Sequence, residues 1–511
     1  MNFMDSTMLL VGTAPQYFFD NVVMEQIQDL TKVFHSPAKD PEPVLQKDRP
    51  WEHVPYFTVC GWSVVRDSQS GEFKCWYEDW QINPQGTHAE GAAPDRPTLE
   101  ITPSRMCYAR SDDGQTWQKP ALDYSVEDGK KTNVVFGNPS HLRAESSTVI
   151  EDLLESDPAK RFKTFYGHIA PAGYVVSIAH SPDGIRWTPS NPPEFGHLGT
   201  GLGDVYMVFQ DLESHAYRLT GRHQGILAVH HDARRPQTPC VFFHPTYPRD
   251  ASRANKRRVF QATSTDLVHF SSPHCIITPD EDIENLDETF YGMAQIRMGQ
   301  GYLGFLNTLH EVSNTMNVRL VHSRDGWSWH HLNHRQPWLT TSEDSWDRNM
   351  VNISSPPIRV DDELYVFHGG ARNHHDWWIS GLQEELDVPE AFTLDEVGYG
   401  LGLARLRPDG FVSLDAGPVR EGVMVTRALR TSGKQLVLNA DCGTGGCIRV
   451  EATDADENVL GGCALDRFDT YTGDSLNAVM TWQGKPDIPH SGCLRLRFFM
   501  RNAALYSFAF A

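Results

Sequence analysis

The sequence lacks the features of a membrane-spanning or zinc-binding protein. It has no apolar stretch of the roughly 18 residues that a membrane helix needs, and its first 14 residues, without a basic region, make a poor signal peptide. Its nine cysteines are scattered, odd in number and contain no Cys-x-x-Cys pair. We therefore expect a reduced, cytoplasmic protein, or a periplasmic one if a leader was removed, although four cysteines in the last 70 residues leave a local disulfide open.

Positive charge is also scarce. The sequence has 45 Lys and Arg residues but 66 Asp and Glu residues, which gives a formal net charge of −21. This balance argues against nucleic acid and against a membrane surface as partners, because both attract basic proteins. Hydrophobic residues make up 40% and charged residues 22%, as in ordinary globular proteins. A length of 511 residues favours one large domain plus a smaller one.

What the sequence does contain is an internal repeat of the form Ser-x-Asp-(Gly/Leu)-x-x-(Trp/Phe). The Asp-Gly pair supplies the positive φ of a tight turn, and the aromatic residue begins the next strand. We therefore interpret Asp113, Asp183 and Asp325 as structural turn residues. The four strong copies and a fifth that keeps only Asp-Gly are SDDGQTW (111–117), SPDGIRW (181–187), STDLVHF (264–270), SRDGWSW (323–329) and RPDGFVS (407–413).

Each copy ends one strand of a four-strand unit. Two alternating apolar segments lie upstream of the strand that carries the repeat, and a further strand starts at its aromatic residue. Five such units predict a five-bladed β-propeller, in which QYFFDNVV at 16–23 completes the last blade. A β-sandwich with chance turns is the alternative.

Beyond Phe411 the repeat gives way to alternating strands divided by Gly- and Asp-rich turns. This pattern predicts a separate antiparallel β-sandwich. We therefore expect an all-β chain, with a five-bladed propeller catalytic domain over residues 1–420 and a C-terminal sandwich over residues 421–511.

Strand direction predicts the location of a site. In a blade, the start of the innermost strand and the end of the second strand share one face, so residues from all blades converge on a central funnel. The catalytic candidates there are Glu52, Glu145, Asp204, Asp287, Glu288 and Asp347. The substrate-binding candidates are Trp76, Tyr77, His168, Arg222, His223, His310, His368 and Arg372, with Glu78, Glu311 and His374 beside them.

This mixture of side chains is typical of glycosidic bond cleavage. Two carboxyl groups flank the bond, one as acid and the other as base or nucleophile, and a third charge nearby separates their pKa values. Arg and His bind hydroxyls or a sugar carboxylate, and aromatic rings stack on sugars. Taken singly, each of these residues is more often a cap, loop or core residue.

The repeat turns, five blades and trailing sandwich resemble the five-bladed propeller glycoside hydrolases of families 32, 43, 68 and 117, and STDLVHF is similar to their Ser-x-Asp-Leu-x-x-Trp turn. The whole chain also resembles a bacterial group labelled family-32-like. That second resemblance is carried by FFDNVVM, HSPAKDPEPVLQKDRPWE, KCWY, GLGLARLRPDGFVSLDAG and LRLRFFMRNAALYSF.

The resemblance implies roles for particular residues. Asp204, in GLGDVYMVFQDLESHAYRL, matches the transition-state-stabilising carboxylate, and Glu288, or Asp287 beside it, matches the acid. The first-blade Asp-Pro motif is missing, so its role falls to Asp20, Glu52, Glu145 or Asp347. The Asn-Asp-Pro-Asn-Gly and Glu-Cys-Pro signatures are absent as well, which argues against fructan hydrolysis.

We therefore expect a glycoside hydrolase that acts on an oligosaccharide or glycoside, exo-acting because the centre of a propeller is closed at its base. Phosphorolysis and a uronate lyase on the same scaffold remain open, with Arg222, His223, His310 and Arg372 binding phosphate or a sugar carboxylate. A non-catalytic carbohydrate-binding propeller is the third reading. No cofactor is expected, although a structural calcium or sodium ion would suit the channel oxygens, and a homo-oligomer is left open.

Overall fold

The computed structural model shows an all-β protein, as expected. Apart from short 3-10 segments such as Pro158–Lys160, Asn333–Arg335 and Leu465–Arg467, the secondary structure of the described residues consists of strands. No helix in this part of the chain is long and apolar enough to cross a membrane. The described residues are 8–83, 100–137, 145–170, 173–190, 194–195, 205–222, 257–280, 283–285, 287–375, 377, 396–490 and 492–511.

Residues 8–46 form five short strands that pair with strands from residues 399–430. The first three join a sheet near the end of the sequence, and the last two pair with Tyr399–Leu406. The strands are β1 (Met8–Leu10), β2 (Met24–Gln28), β3 (Leu30–Phe34), β4 (Ala38–Lys39) and β5 (Leu45–Gln46).

Residues 54–285 form three sets of antiparallel strands, each laid side by side in chain order. Set 1 consists of β6 (Val54–Tyr56), β7 (Trp62–Arg66), β8 (Phe73–Asn83), β9 (Glu100–Ser111) and β12 (Val134–Phe136), with a separate ribbon of β10 (Leu122–Glu127) and β11 (Lys130–Thr132). Set 2 consists of β13 (Glu145–Glu151), β14 (Phe162–Ala170), β15 (Gly173–Ser181) and β16 (Thr188–Pro189). Set 3 consists of β18 (Tyr206–Asp211), β19 (Ala216–Arg222), β20 (Val259–Ser264) and β22 (His274–Ile277), while β17 (Glu194–Phe195) pairs with β21 (His269–Phe270).

Residues 287–406 form two further sets, which share one sheet through a single parallel bridge between Met316 and Met350. Set 4 consists of β23 (Glu288–Met298), β24 (Gly301–His310), β25 (Thr315–Ser323), β26 (His330–His331) and β27 (Pro337–Leu339). Set 5 consists of β28 (Met350–Asn352), β29 (Ile358–Val360), β30 (Glu363–Ala371) and β31 (Tyr399–Leu406). β4 and β5 complete set 5, so residues 38–46 take the place that the sequence had assigned to residues 16–23.

The four strong copies of the repeat form the same hydrogen-bonded turn. In the second copy, the Ser181 hydroxyl accepts the Gly184 N–H at 2.9 Å, and the Asp183 carboxylate accepts the N–H groups of the two residues after Gly184. The interpretation of the repeat aspartates as turn residues is therefore confirmed. The other Ser-to-turn bonds join Ser111 to Gly114, Ser264 to Leu267 and Ser323 to Gly326, at 2.8–2.9 Å.

These turns also dock on the preceding set of strands. The Gly184 carbonyl of set 2 accepts the indole N–H of Trp76 in set 1 at 2.6 Å. The Gly326 carbonyl of set 4 accepts a guanidinium N–H of Arg218 in set 3 at 2.9 Å. The turn of set 1 packs on set 5, where the rings of Trp117 and Phe367 meet edge to face with centroids 6.0 Å apart.

A series of side-chain hydrogen bonds joins successive sets of strands. Each bond links a side chain of one set to the backbone of its neighbour, and the fifth set is bonded back to the first. From set 1 onward the pairs are Ser63 with Val149, Gln210 with Glu151, Thr220 with Met293, Asn307 with Ile353, and Ser354 with Cys60, at 2.6–2.9 Å.

The remaining strands form a further sheet that also contains β1–β3 and is antiparallel except for the parallel pair of β1 and β34. It is built on the long antiparallel pair of β35 and β37, whose alternate side chains are buried. Strands on both sides of the expected division at residues 420 and 421 share this sheet, and the division itself stays a prediction. The strands are β32 (Val412–Ala416), β33 (Gly422–Thr426), β34 (Ala428–Arg430), β35 (Leu436–Thr453), β36 (Asp474–Val479) and β37 (Cys493–Phe510).

Candidate active site

A bulge re-aims one aromatic side chain at the start of set 4. In the ladder between β23 and β24, Phe290 pairs with Thr308 and Gly292 pairs with Asn307, so Tyr291 is an extra residue without a partner in the register. An extra residue of this kind breaks the alternation of side chains and turns its own side chain in a new direction, often beside a functional site.

Tyr291 is the centre of a polar cluster. Its phenol oxygen lies 2.8 Å from Nε2 of His375. The guanidinium carbon of Arg222 lies 4.4 Å from the centroid of the Tyr291 ring, and that of Arg257 lies 4.7 Å from it. All four side chains are buried, so the interaction between the two cations and the ring is stronger here than it would be in water.

Backbone hydrogen bonds fix the residues that build this cluster. Arg222 ends β19, and its N–H donates to the Val205 carbonyl at 3.0 Å. The Arg257 carbonyl accepts the N–H of Phe290, next to Tyr291, at 3.0 Å. His375, which follows β30, donates its N–H to the Asn314 carbonyl at 2.9 Å. Sets 3, 4 and 5 therefore each contribute side chains to one rigid arrangement.

Set 1 places a carboxylate and a pair of aromatic side chains at the corresponding end of the set, on and beside β8. The Glu78 carboxylate accepts the Ser146 N–H of set 2 at 3.1 Å and the indole N–H of Trp80 at 2.9 Å. The Trp80 ring stacks on Tyr56 with centroids 3.8 Å apart. Glu78 is 1% exposed, and these two N–H groups stabilise its charge.

Of the predicted site residues, Arg222 lies in the Tyr291 cluster, and two others lie together elsewhere in set 4. The Glu288 carboxylate accepts a guanidinium N–H of Arg319 at 2.8 Å, and Nδ1 of His310 lies 3.7 Å from the same oxygen. Arg319 also faces Glu284 at 3.6 Å. Glu288 therefore belongs to a buried ion cluster, whereas Asp287 is half-buried and accepts the Val312 N–H at 3.4 Å.

The structure places Glu52, Trp76 and Tyr77 in the interior rather than on an open funnel wall. Glu52 forms an ion pair with Lys119, with its two oxygens 2.7 and 2.8 Å from Nζ, and accepts the Tyr77 phenol. Tyr77 and Trp76 are both fully buried, and the Trp76 indole serves the Gly184 turn. Rings enclosed in this way have no face for a sugar.

Asp347 and His368 also lie beneath the surface. Asp347 pairs with Lys39 at 2.5 Å, and Nε2 of His368 lies 4.0 Å from the same carboxylate oxygen. Burial, together with the charge of Lys39, lowers the pKa of His368 to about 4, against the opposing effect of Asp347. Arg372 donates from Nε to the Glu396 carbonyl at 3.2 Å.

This depressed pKa predicts a pH-dependent stability. Because the folded protein binds a proton on His368 less readily than the unfolded chain, the stabilisation is complete above about pH 6.5 and is lost as the pH falls through about 4. In this window the urea midpoint of wild type should fall, with a contribution from His368 of up to about 1.4 kcal/mol per pH unit. His368→Gln should show a shallower slope, and the exposed His274→Gln should keep the slope of wild type. Equal slopes for all three proteins would contradict this prediction.

For four of the predicted site residues, the structure describes no side chain. Asp204 and His223 lie outside the described residues. Only the backbones of Glu145 and His168 are described, and they pair with Gly167 and Val175. Their site roles stay predictions, as does a calcium or sodium ion in the channel.

Asp20, one of the residues considered for the missing first-blade motif, lies at the opposite end of the strands from Tyr291. Its carboxylate binds Arg324 of the fourth repeat turn through two bonds, at 2.7 and 2.8 Å. β23 runs from Glu288, near Tyr291, whereas β25 ends at Ser323 in that turn. The distance along these strands separates Asp20 from the cluster.

Three residues of the cluster were missed at the sequence level. Tyr291 lies in a run of buried strand residues, and only the glycine that follows it hinted at a bulge. His375 lies one residue beyond His374, which had been noted as a second-strand end. Arg257 begins the strand segment RRVFQATS before the third repeat, whereas the prediction considered only the starts of innermost strands and the ends of second strands.

No family model matches the chain, and no curated protein matches it. Solved structures of similar shape include a β-1,2-mannobiose phosphorylase from Listeria innocua at 12% identity and TM-score 0.45, covering 72% of this chain and 96% of that one. Another is an N-acetylgalactosamine deacetylase from F. plautii at 12% identity and TM-score 0.43, covering 75% and 97%. A thermostable family-43 glycoside hydrolase has 13% identity and TM-score 0.41, covering 72% and 95%. Neither a family nor an activity follows from likenesses of this size.

Proposed function

We propose that the five strand sets are the blades of a five-bladed β-propeller with a C-terminal β-sandwich. The side-chain hydrogen bonds that run from set 1 to set 5 and back to set 1 support a closed ring. The docking of the repeat turns of sets 1, 2 and 4 on the preceding set supports it as well. A ring of this kind leaves no open sheet edge around the axis.

On this scaffold we propose a glycoside hydrolase. The observation that carries the proposal is the convergence of Tyr291, His375, Arg222 and Arg257 from three strand sets. Hydroxyl, imidazole and guanidinium groups are the ones that bind sugar hydroxyls and transfer protons in such a site. Glu78 of set 1 is a further candidate carboxylate, in addition to Asp204, Asp287 and Glu288, which the sequence analysis proposed.

Exo-action fits the packing below the cluster. A Cβ atom added to Gly292 would lie 3.0 Å from Val205 and 3.1 Å from Val59. These residues come from sets 3 and 1, so side chains of two other sets pack closely against Gly292, the neighbour of Tyr291 in the chain. A pocket closed at its base admits the end of a glycan rather than its middle.

The carboxylate pair implied by the family resemblance, Asp204 and Glu288, is tested by substitution. Asp204→Asn and Glu288→Gln should each lower the hydrolysis of aryl glycosides and oligosaccharides by about 10²–10⁴-fold, as expected for loss of a base or acid. Glu284→Gln is the matched control for Glu288, because it disturbs the same Arg319 ion cluster. If Glu284→Gln loses as much turnover as Glu288→Gln, the role of Glu288 is structural. Intact turnover in both Asp204→Asn and Glu288→Gln would refute the proposed carboxylate pair.

The second candidate function is that of a phosphorylase or a uronate lyase. It is favoured by the two guanidinium groups that lie against the ring of Tyr291. Such a pair suits a phosphate or a sugar carboxylate. Turnover that requires inorganic phosphate would indicate a phosphorylase, and products that absorb as unsaturated uronates would indicate a lyase. Glycan binding without any turnover would leave the non-catalytic propeller as the function.

A further inference from the structure

We propose that Tyr291 is the proton-transfer residue of this site and that His375 accepts its phenolic proton. The inference rests on the proposed function, and it deepens that function by assigning a group that no carboxylate pattern reveals. It is carried by three features that meet on one side chain: a bulge, an imidazole partner and two cations.

The contact with His375 provides a path for the proton. A neutral imidazole with its hydrogen on Nδ1 has a free acceptor at Nε2, and Nε2 is the atom that lies 2.8 Å from the Tyr291 oxygen. The two rings meet at 67° with centroids 4.8 Å apart. The bond from the His375 N–H to the Asn314 carbonyl fixes the main chain that carries the ring, and the contact with Tyr291 is already at hydrogen-bond distance, so the acceptor needs no rearrangement before transfer.

The two guanidinium groups favour the ionised phenol. The charged or titratable groups in contact with Tyr291, among the described residues, are Arg222 and Arg257 from set 3 and His375 from set 5. A tyrosinate carries a negative charge that is shared by the oxygen and the ring, and two positive charges within 5 Å of the ring stabilise that form.

The proton balance of the hydrolytic step closes without an added reagent. The phenolic proton first moves to Nε2 of His375, which leaves a tyrosinate and an imidazolium. As the water oxygen bonds to the anomeric carbon, the glycosidic carbon–oxygen bond breaks. The tyrosinate takes one proton from the attacking water, and the leaving oxygen takes a proton from a carboxylic acid of the site. His375 returns its proton to solvent while that carboxylate regains one, so no net proton is gained or lost.

The kinetic test compares two tyrosines at the same end of the strands. Tyr291→Phe removes the hydroxyl and keeps the ring, and Tyr399→Phe is the matched control because both residues are 7% exposed and both hydroxyls have one nitrogen partner among the described bonds. We expect Tyr291→Phe to lower kcat by about 10²–10⁴-fold with little change in KM, and Tyr399→Phe to stay near wild type. Azide should restore turnover of an activated aryl glycoside in Tyr291→Phe alone, with a glycosyl azide as product.

A second measurement needs no substrate. The near-ultraviolet absorbance of the folded protein is titrated with alkali for wild type, Tyr291→Phe and Tyr399→Phe. Wild type and Tyr399→Phe should show one tyrosine that ionises before the others, and Tyr291→Phe should lack it. If wild type hydrolyses no glycoside, the proposed function fails while this titration still decides the role of Tyr291. Identical titrations for all three proteins, or kcat of Tyr291→Phe within threefold of wild type, would overturn the inference.

Discussion

Lys119→Met should lower the free energy of unfolding by about 3–5 kcal/mol, because it leaves a buried carboxylate without its cation. The Lys119 ammonium lies 2.7 and 2.8 Å from the two oxygens of Glu52, and both side chains are almost fully buried. Methionine fills a similar volume, so the loss reports the unpaired charge rather than a cavity. Urea unfolding monitored by tryptophan fluorescence measures it.

The control for this prediction is an exposed ion pair in the same set of strands. Lys131 lies 2.6 Å from Asp123, but both side chains are more than half exposed, so Lys131→Met should change stability by less than about 1 kcal/mol. Adding Glu52→Gln to Lys119→Met should recover part of the loss, because the unpaired charge is then gone. A loss in Lys119→Met no larger than that in Lys131→Met would show that the pair contributes nothing.

Gly184→Ala should destabilise the protein by about 2–5 kcal/mol, from about 1–2 kcal/mol of backbone strain and about 1–3 kcal/mol of overpacking. Gly184 has a φ of +80°, and a Cβ added to it would lie 2.4 Å from Cζ2 of Trp76. Trp76 is fully buried, so its indole has no room to yield.

Gly71→Ala separates the two causes. Gly71 has nearly the same φ, +76°, but a Cβ there has nothing within 4 Å. This variant should therefore lose only the backbone strain, about 1–2 kcal/mol. Thermal unfolding of both variants gives the difference, which measures the close packing of a repeat turn on the neighbouring set. Equal losses would mean that the turn tolerates the added methyl group.

The repeat was readable from the sequence because its causes are local. The hydroxyl of Ser181 and the carboxylate of Asp183 bond only to backbone groups within a few residues, so neighbours along the chain determine the turn. The third copy makes the same bonds with leucine in place of glycine, and Leu267 adopts a φ of +61°. The alternating strands before each turn follow from local patterning as well.

The candidate site was harder to predict from the sequence, because it depends on contacts between residues that are distant in the chain. Arg222 was found from its position at a strand end, but the bulge at Tyr291 arises from the register between two strands and leaves no periodic signal. Glu52 fitted the expected position of a catalytic carboxylate, yet Lys119, which neutralises it, is far along the chain. Pattern alone does not tell a carboxylate that faces a pocket from one that faces a lysine.

The pairing of residues 8–34 with residues 412–430 has a consequence for synthesis on the ribosome. Leu30 pairs with Ala416 and Met24 pairs with Thr426, so the early strands emerge long before their partners exist. Until then their edges stay open to pairing with other nascent chains. This sheet is therefore among the last parts of the molecule to form, and a chaperone that shields residues 8–34 during translation would raise the yield of folded protein.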